Sequence, residues 1–521
     1  MTTVPSASAL IARSAQSTVA GLFLQQVRRA PSHPAVQTRD GTLTYAELAD
    51  RALSLSAVLE RRGIRPGDRI AILSENRREY LETYLAAAMT GAIVACQNWR
   101  LSTAELTHCL GLVEPSLVLV SERHAGKLAE IDGYADTSLT LGDAYERALA
   151  ETAPSDLPAL ESLDPEAPLL ILYTSGTTGL PKGAIISHRA QIVRNMVTRA
   201  EFSIDAADSF VAWSPMYHMG AADNSIGTLM AGGKVIVVDG FDQGHLAEVV
   251  REEPIGWLLL MPGMVGGFAT ELERRGVTAR GIKVCGVMAD LVPPAEIARI
   301  TRLLDAPYAN TFGATETGCP PCSSSLIPVG EIPASLSKEQ SIFCEVRLVD
   351  PEGNEVADGT PGELAMRGPT LFSGYWRNEK TNREDFRRGW FHMGDVFMRN
   401  PDGSLDFVDR VKYLIKSGGE NIYPAEIERV LLADPRVIDA AVVRRPDAKW
   451  GEVPIAFVAR RHGAEGADDL TEADLYARCR ADLAGYKQPK GIHFIAMEDF
   501  PRSASGKIQR HELEKRLPAA D

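Results

Sequence analysis

Residues 173–183 read Tyr-Thr-Ser-Gly-Thr-Thr-Gly-Leu-Pro-Lys-Gly and are the most chemically suggestive run in the chain. Thr174, Ser175, Thr177 and Thr178 bring four short hydroxyl donors. Gly176, Gly179 and Gly183 let backbone amides approach an anion closely. Lys182 adds a full positive charge. Such a loop suits the phosphates of a nucleotide. An ordinary surface turn can share this composition, and only the order of residues sets the run apart. It is not a P-loop, which needs Gly-Lys followed by Ser or Thr at the head of a helix. Here Pro181 precedes Lys182 and Gly183 follows it.

The elements around this run are those of an α/β protein. Leu169-Leu170-Ile171-Leu172 reads as a buried strand leading into it. Residues 69–73 and 116–120 read as strands, and residues 45–61 and 79–89 as amphipathic helices. Further strands are expected at 234–238 and 256–260, and such alternation implies mainly parallel sheets. Residues 151–168 form a polar connector. After Pro328 short alternating strands such as 345–349, with turns at 350–353 and 358–359, suit a small β-barrel or twisted sheet. Beyond Arg410 a compact α+β unit follows, with helices at 425–432 and 471–483.

Composition narrows the function. The chain has 521 residues, too many for one core, and its 45% hydrophobic and 24% charged content is that of a globular protein. A net charge of -14 argues against nucleic acid or an anionic membrane as the main partner, though not against a nucleotide in a local basic site. No transmembrane segment or secretory signal is expected, and seven cysteines do not make a disulfide framework, so the expected location is the cytoplasm. Cys319-Pro320-Pro321-Cys322 has the spacing of a redox or metal pair. A zinc site needs two more ligands, and this stretch reads as a loop with two incidental thiols.

Five further segments follow in order: Pro215-Met216-Tyr217-His218, Asn310-Thr311-Phe312-Gly313-Ala314-Thr315-Glu316, a run from Gly389 to Asp395, Asp409-Arg410-Val411-Lys412 joined to the stretch from Ile415 to Pro424, and the tail Pro501-Arg502-Ser503-Ala504-Ser505-Gly506-Lys507-Ile508. With the glycine-rich run they resemble the signatures of the adenylate-forming superfamily, in its acyl- and aryl-CoA ligase branch. The resemblance spans most of the chain. It implies a large N-terminal domain of αβαβα layers with an appended β-barrel, residues 1–411, and a small mobile α+β C-terminal domain, residues 412–521, hinged at Lys412. It also implies ATP, Mg²⁺ and coenzyme A.

By the same resemblance, Thr174 to Thr178 and Lys182 hold phosphates, while Ala289 and Asn310 to Gly313 line the nucleotide, with Phe312 stacking near adenine. Thr315 contacts phosphate and Glu316 helps to hold Mg²⁺. Asp395 accepts from the ribose hydroxyls and Arg410 contacts ribose or phosphate. Lys416, Gly418 and Gly419 belong to the loop that forms part of the pantetheine tunnel, and Lys507 completes the adenylation site. His218 orients the carboxylate or gates the tunnel.

The reaction so implied has two halves. A carboxylate attacks the α-phosphorus of ATP to give an acyl-adenylate, the small domain rotates, and CoA then takes the acyl group. The expected partners are an apolar carboxylic acid, ATP or an acyl-adenylate, and CoA, with a homodimer allowed. Ala221, Ala222 and Gly227 are expected to leave room for the acyl group, and Trp213, Met216 and Met219 to wall it. Two stretches depart from the pattern. Val287-Met288-Ala289-Asp290 replaces a small Gly-Gly-Ala or Gly-Ala-Ala run, and residues 326–343 lack the usual glycines. The bulky pair either narrows the pocket or impairs adenylation, leaving an enzyme that works from a preformed acyl-adenylate. Loading of a separate carrier protein is the other alternative.

Overall fold

The computed structural model describes residue 7 and residues 14–154, 163–174, 180–418, 420–461, 463, 469–502 and 508–517. The chain packs as two compact units. The first comprises residues 1–345 and 367–389, and the second residues 346–366 and 390–521. The second unit therefore takes in the expected C-terminal domain together with antiparallel strands that precede Lys412.

A six-stranded sheet dominates the first unit, in the order Ser138–Leu141, Leu117–Ser121, Arg69–Leu73, Ile93–Cys96, Pro168–Thr174, Lys182–Ser187. Its first five strands are parallel and the last is antiparallel. Parallel strands carry helices on both faces, so their sequences are apolar throughout, and four of the five residues of Arg69–Leu73 are fully buried. Ala71, Leu73, Val118 and Val120 pack there with Leu106 and Leu110. A second sheet joins Gly41–Thr44, Pro34–Thr38, Val235–Val237 and Phe210–Ala212. A third joins Ile255–Leu258, Ile282–Cys285, Tyr308–Ala309 and Leu326–Ile327. The helix Tyr45–Arg61 starts where the sequence places it, because Thr44 and Glu47 form a capping box.

Cys319 and Cys322 are not in a loop. Gly318–Cys322 is a strand paired with Phe312–Ala314, and Cys322 stands opposite Phe312. A Cβ on Gly313 would lie 2.1 Å from the Gly318 carbonyl oxygen, so this tight hairpin requires glycine. Burial pushes the Cys319 thiol up to about 12, which keeps it protonated rather than a thiolate for redox or metal chemistry.

In the second unit Trp390–Arg399 pairs antiparallel with both Gly362–Arg367 and Leu405–Arg410. A separate five-stranded sheet is built on the long hairpin of Val437–Asp447 and Gly451–Arg460, covered by helices Pro424–Leu432 and Glu472–Asp482. Among the described residues no helix is long and apolar enough to cross a membrane.

His188 begins the helix that follows the phosphate-loop strands, and its Nδ1 accepts a hydrogen bond from the Val19 amide. Burial lowers its pKa from 6.5 to about 4. The unfolded chain therefore binds more protons between those values, so stability is full above pH 6.5 and is lost as the pH falls towards 4. Between pH 7 and pH 5 the wild-type protein should lose about 2 kcal/mol relative to a His188→Asn variant, measured by urea unfolding at both pH values.

Candidate active site

Strand pairing frames the phosphate-binding run. Thr174 lies opposite Lys182 in the register of Pro168–Thr174 with Lys182–Ser187. Ser175, Gly176, Thr177 and Thr178 lie outside the described residues, but the ends of their loop are held one strand spacing apart. Residues 372–376 are strapped along Lys182–Ser187: Ile185 N donates to Gly374 O at 3.0 Å, Ser373 N to Ile185 O at 2.8 Å, and Trp376 N to Gly183 O at 2.8 Å.

This strap places Tyr375. The Lys182 ammonium sits 4.7 Å from the centre of its ring, and its hydroxyl donates to Glu316 Oε1 at 2.8 Å. The Phe372 amide donates to the Glu316 carbonyl at 2.8 Å. One tyrosine thus joins the lysine of the phosphate run to the acid expected to hold a cation. With Oε1 accepting from Tyr375, Glu316 keeps Oε2 for a second partner. Among the described residues no group of three His, Cys, Asp or Glu could hold a metal. A single carboxylate fits Mg²⁺, which takes one or two carboxylates together with substrate phosphates.

The neighbouring residues are pinned through their main chain. Arg194, almost fully buried, donates through Nη2 to Thr315 O at 3.0 Å, through Nε to Thr370 O at 2.9 Å, and through Nη1 to Asp223 Oδ2 at 3.1 Å. Asn310 is fully buried, and its amide donates to Leu336 O at 3.0 Å and Ser337 O at 3.1 Å. Its Oδ1 accepts from Lys338, whose Nζ is also 2.6 Å from Asp290 Oδ2. The two stretches that depart from the superfamily pattern therefore meet in one buried ion pair. Met288 adopts left-handed backbone (φ 49°, ψ 58°) and is 39% exposed, so its bulk does not fill the interior, whereas Ala289 beside it is fully buried.

His218 stands at the N-terminus of helix Met219–Ala231. The loop before it is fixed by Asn76, whose amide donates to the carbonyls of Ala212, Ser214 and Val238 at 3.0, 2.8 and 3.1 Å and whose Oδ1 accepts from Met216 N. Tyr84 donates to Met216 O at 2.6 Å. The His218 ring lies 4.5 Å from that of Tyr217, whose hydroxyl burial pushes up to about 12. Of the six residues expected to shape an acyl pocket, only Met219 borders the cavity beside this helix. Ala221 and Ala222 face the opposite way into the core, Trp213 is buried against Phe241, and a Cβ at Gly227 would strike the Asn195 side chain. The cavity is lined instead by Gly220, Asp223 and Asn224, by Arg194, Asn195 and Thr198, and by Trp257 and Cys319.

The second unit holds Asp395, Arg410, Lys416 and Gly418. Asp395, buried, stands opposite Arg410 across two strands, with Arg410 Nε 2.9 Å from Asp395 Oδ1. Lys412 and Lys416 are exposed. Gly418 has φ 59°, and a Cβ there would lie 2.6 Å from the Trp450 indole. Gly419 and Lys507 lie outside the described residues.

Comparison with known proteins agrees with this geometry. The sequence profile of the family described as AMP-binding enzyme matches residues 23–376, and that of the AMP-binding enzyme C-terminal domain matches residues 426–507. The chain belongs to the AMP-binding enzyme family. This AMP-binding enzyme is 34% identical to a feruloyl-CoA synthase of an Amycolatopsis species, over 95% of its own length and 98% of that protein. It is 31% identical to an indoleacetate–CoA ligase of Aromatoleum aromaticum, over 93% and 95%. Among solved structures, ATP-bound MatB from Rhodopseudomonas palustris matches with a TM-score of 0.80 at 27% identity, covering 95% of this chain and 98% of that one. The protein is thus an AMP-forming acid–thiol ligase of the acyl- and aryl-CoA ligase branch, acting with ATP through an acyl-adenylate.

Sequence reading missed four positioning residues of this AMP-binding enzyme: Tyr375, Arg194, Asn76 and Lys338. The only local signal at Tyr375 is an aromatic after a turn glycine, a common surface pattern. Tyr375→Phe keeps the ring under Lys182 but removes the bond to Glu316, and should lower kcat/KM for pyrophosphate release about 10- to 100-fold without lowering the melting temperature. In the buried pair the two partners are unequal, since Lys338 is wholly enclosed and the Asp290 side chain is 34% exposed. Asp290→Ala strands the buried ammonium and should cost about 3–5 kcal/mol of stability, more than Lys338→Met, as urea unfolding would show.

Proposed function

We propose that this enzyme activates a largely apolar, aromatic carboxylic acid, with the phosphates of ATP held by the run from Thr174 to Lys182 and the carboxylate oriented by His218. The observation that carries this reading is the chain Lys182–Tyr375–Glu316, which sets a cation and an anion at fixed separation beside the two ends of the phosphate loop. Glu316 would hold Mg²⁺, which supplies positive charge against the phosphate oxygens as charge redistributes. Thr315 would face phosphate, because Arg194 holds its carbonyl on the other side. The aromatic class is supported by two relatives named for feruloyl and indoleacetate substrates. Left-handed Met288 turns its bulk outward, which favours a retained first half-reaction over an enzyme confined to preformed acyl-adenylate.

The C-terminal part then turns about Lys412, withdrawing Lys507 and bringing Gly418 and Gly419 to the pantetheine arm. CoA is the acceptor, and the cytoplasm, where all seven cysteines remain free thiols, is the location.

The test is pyrophosphate release with ATP and Mg²⁺ across a panel of aromatic and aliphatic acids, with and without CoA. Release should depend on an aromatic acid, yield a thioester when CoA is present, and fall about 100-fold in Lys182→Ala. Thioester formation only from a supplied acyl-adenylate would overturn the two-step reading. Gly418→Ala drives a Cβ against Trp450 and should slow thioester formation more than pyrophosphate release, as parallel assays of the two half-reactions would read.

A further inference from the structure

The cavity beside helix Met219–Ala231 lies wholly within the first unit and has about 330 Å³ of empty space. Its apolar walls are Met219 and Trp257. Its polar wall is the pair of Arg194 and Asp223. Asp223 is nine-tenths buried, and its two oxygens differ. Oδ2 accepts from Arg194, while Oδ1 has no hydrogen-bond partner within the protein. A buried carboxylate oxygen left in that condition carries the full cost of desolvation.

We propose that Asp223 selects for an aromatic acid bearing a distal hydroxyl, which donates to Asp223 Oδ1; this rests on the ligase reading given above. The chemistry of the wall narrows the ligand step by step. An ionised carboxylate only accepts, so the ligand must donate. Arg194 is nearly sealed and committed to Thr315, Thr370 and Asp223, and it is not free to bind a second carboxylate. Its charge and that of Asp223 cancel, so the wall attracts neither a dianion nor an ammonium. A neutral donor remains. Burial pushes the Asp223 carboxyl above the usual carboxylate range, while Arg194 pulls it back down.

Position agrees. Asp223 follows His218 by five residues on one helix, about 7.5 Å along the axis. An acid whose carboxylate meets His218 would therefore place a ring against Met219 and Trp257 and a hydroxyl near Asp223. A long alkyl chain would leave Oδ1 unpaired.

The test compares kcat/KM for thioester formation with matched pairs of acids, cinnamate against 4-hydroxycinnamate and benzoate against 4-hydroxybenzoate, with adipate as the dicarboxylic control. Binding of the same acids to the full-length protein without ATP is measured by calorimetry. One hydroxylated acid should be preferred over its parent at least 10-fold in both assays. Asp223→Asn should bring that ratio towards one. Should Asp223→Asn not fold, Arg194→Met/Asp223→Leu removes both charges and should give the same collapse.

Turnover without a hydroxyl preference, or with adipate preferred, overturns the inference and leaves the ligase reading standing. A variant that lowers both members of each pair equally assigns Asp223 a purely structural role and also overturns it. Asp223-dependent, hydroxyl-selective binding without any turnover supports the inference and removes the ligase reading. Neither turnover nor selective binding overturns both.

Discussion

The antiparallel pairing of Pro168–Thr174 with Lys182–Ser187 is the constraint on which the large unit's site depends. Five parallel strands lead to it, and the sixth turns back so that the phosphate loop leaves and re-enters the sheet at adjacent points. An outermost strand has a free row of amides and carbonyls, and residues 372–376 satisfy part of that row. The same backbone bonds that cover the edge deliver Tyr375 to Lys182 and Glu316. Edge protection and site assembly are a single arrangement here.

The second unit is organised around carboxylates that anchor backbone. Asp409, which precedes the expected hinge, accepts from Ala425 N at 2.7 Å, at the start of helix Pro424–Leu432. Burial pushes its carboxyl up, and the amides of Ala425 and Arg410 pull it back. Glu428 on that helix is paired with Arg510, whose guanidinium lies 4.6 Å from the Tyr413 ring centre. Exposed Lys412 sits between these clamps, so the chain around it is held on both sides while its own side chain is not.

Much of the fold was legible because its signals are local. The helix Tyr45–Arg61 carries its own cap, and the strand Arg69–Leu73 its own unbroken apolar run. The phosphate loop, Glu316 and Asp395 were legible through residue order and family resemblance. What stayed hidden depends on separation along the chain. Tyr375 lies 59 residues from Glu316, and Arg194 lies 29 from Asp223 and 121 from Thr315. No spacing rule joins such residues. The acyl-pocket walls were misread for a different reason. Small residues after His218 suggested open space, but helical periodicity turns Ala221 and Ala222 to the core and presents Gly220, Asp223 and Asn224 to the cavity.

The ion pair of Lys338 and Asp290 has a consequence for the history of this chain. A lysine enclosed without its carboxylate is far less tolerable than either the pair or an uncharged couple. The two departures from the superfamily pattern are thus one inherited change. In a lineage that keeps the lysine the acid must persist, and a return of glycine at one place removes the reason for aspartate at the other. Related chains should carry both charges or neither.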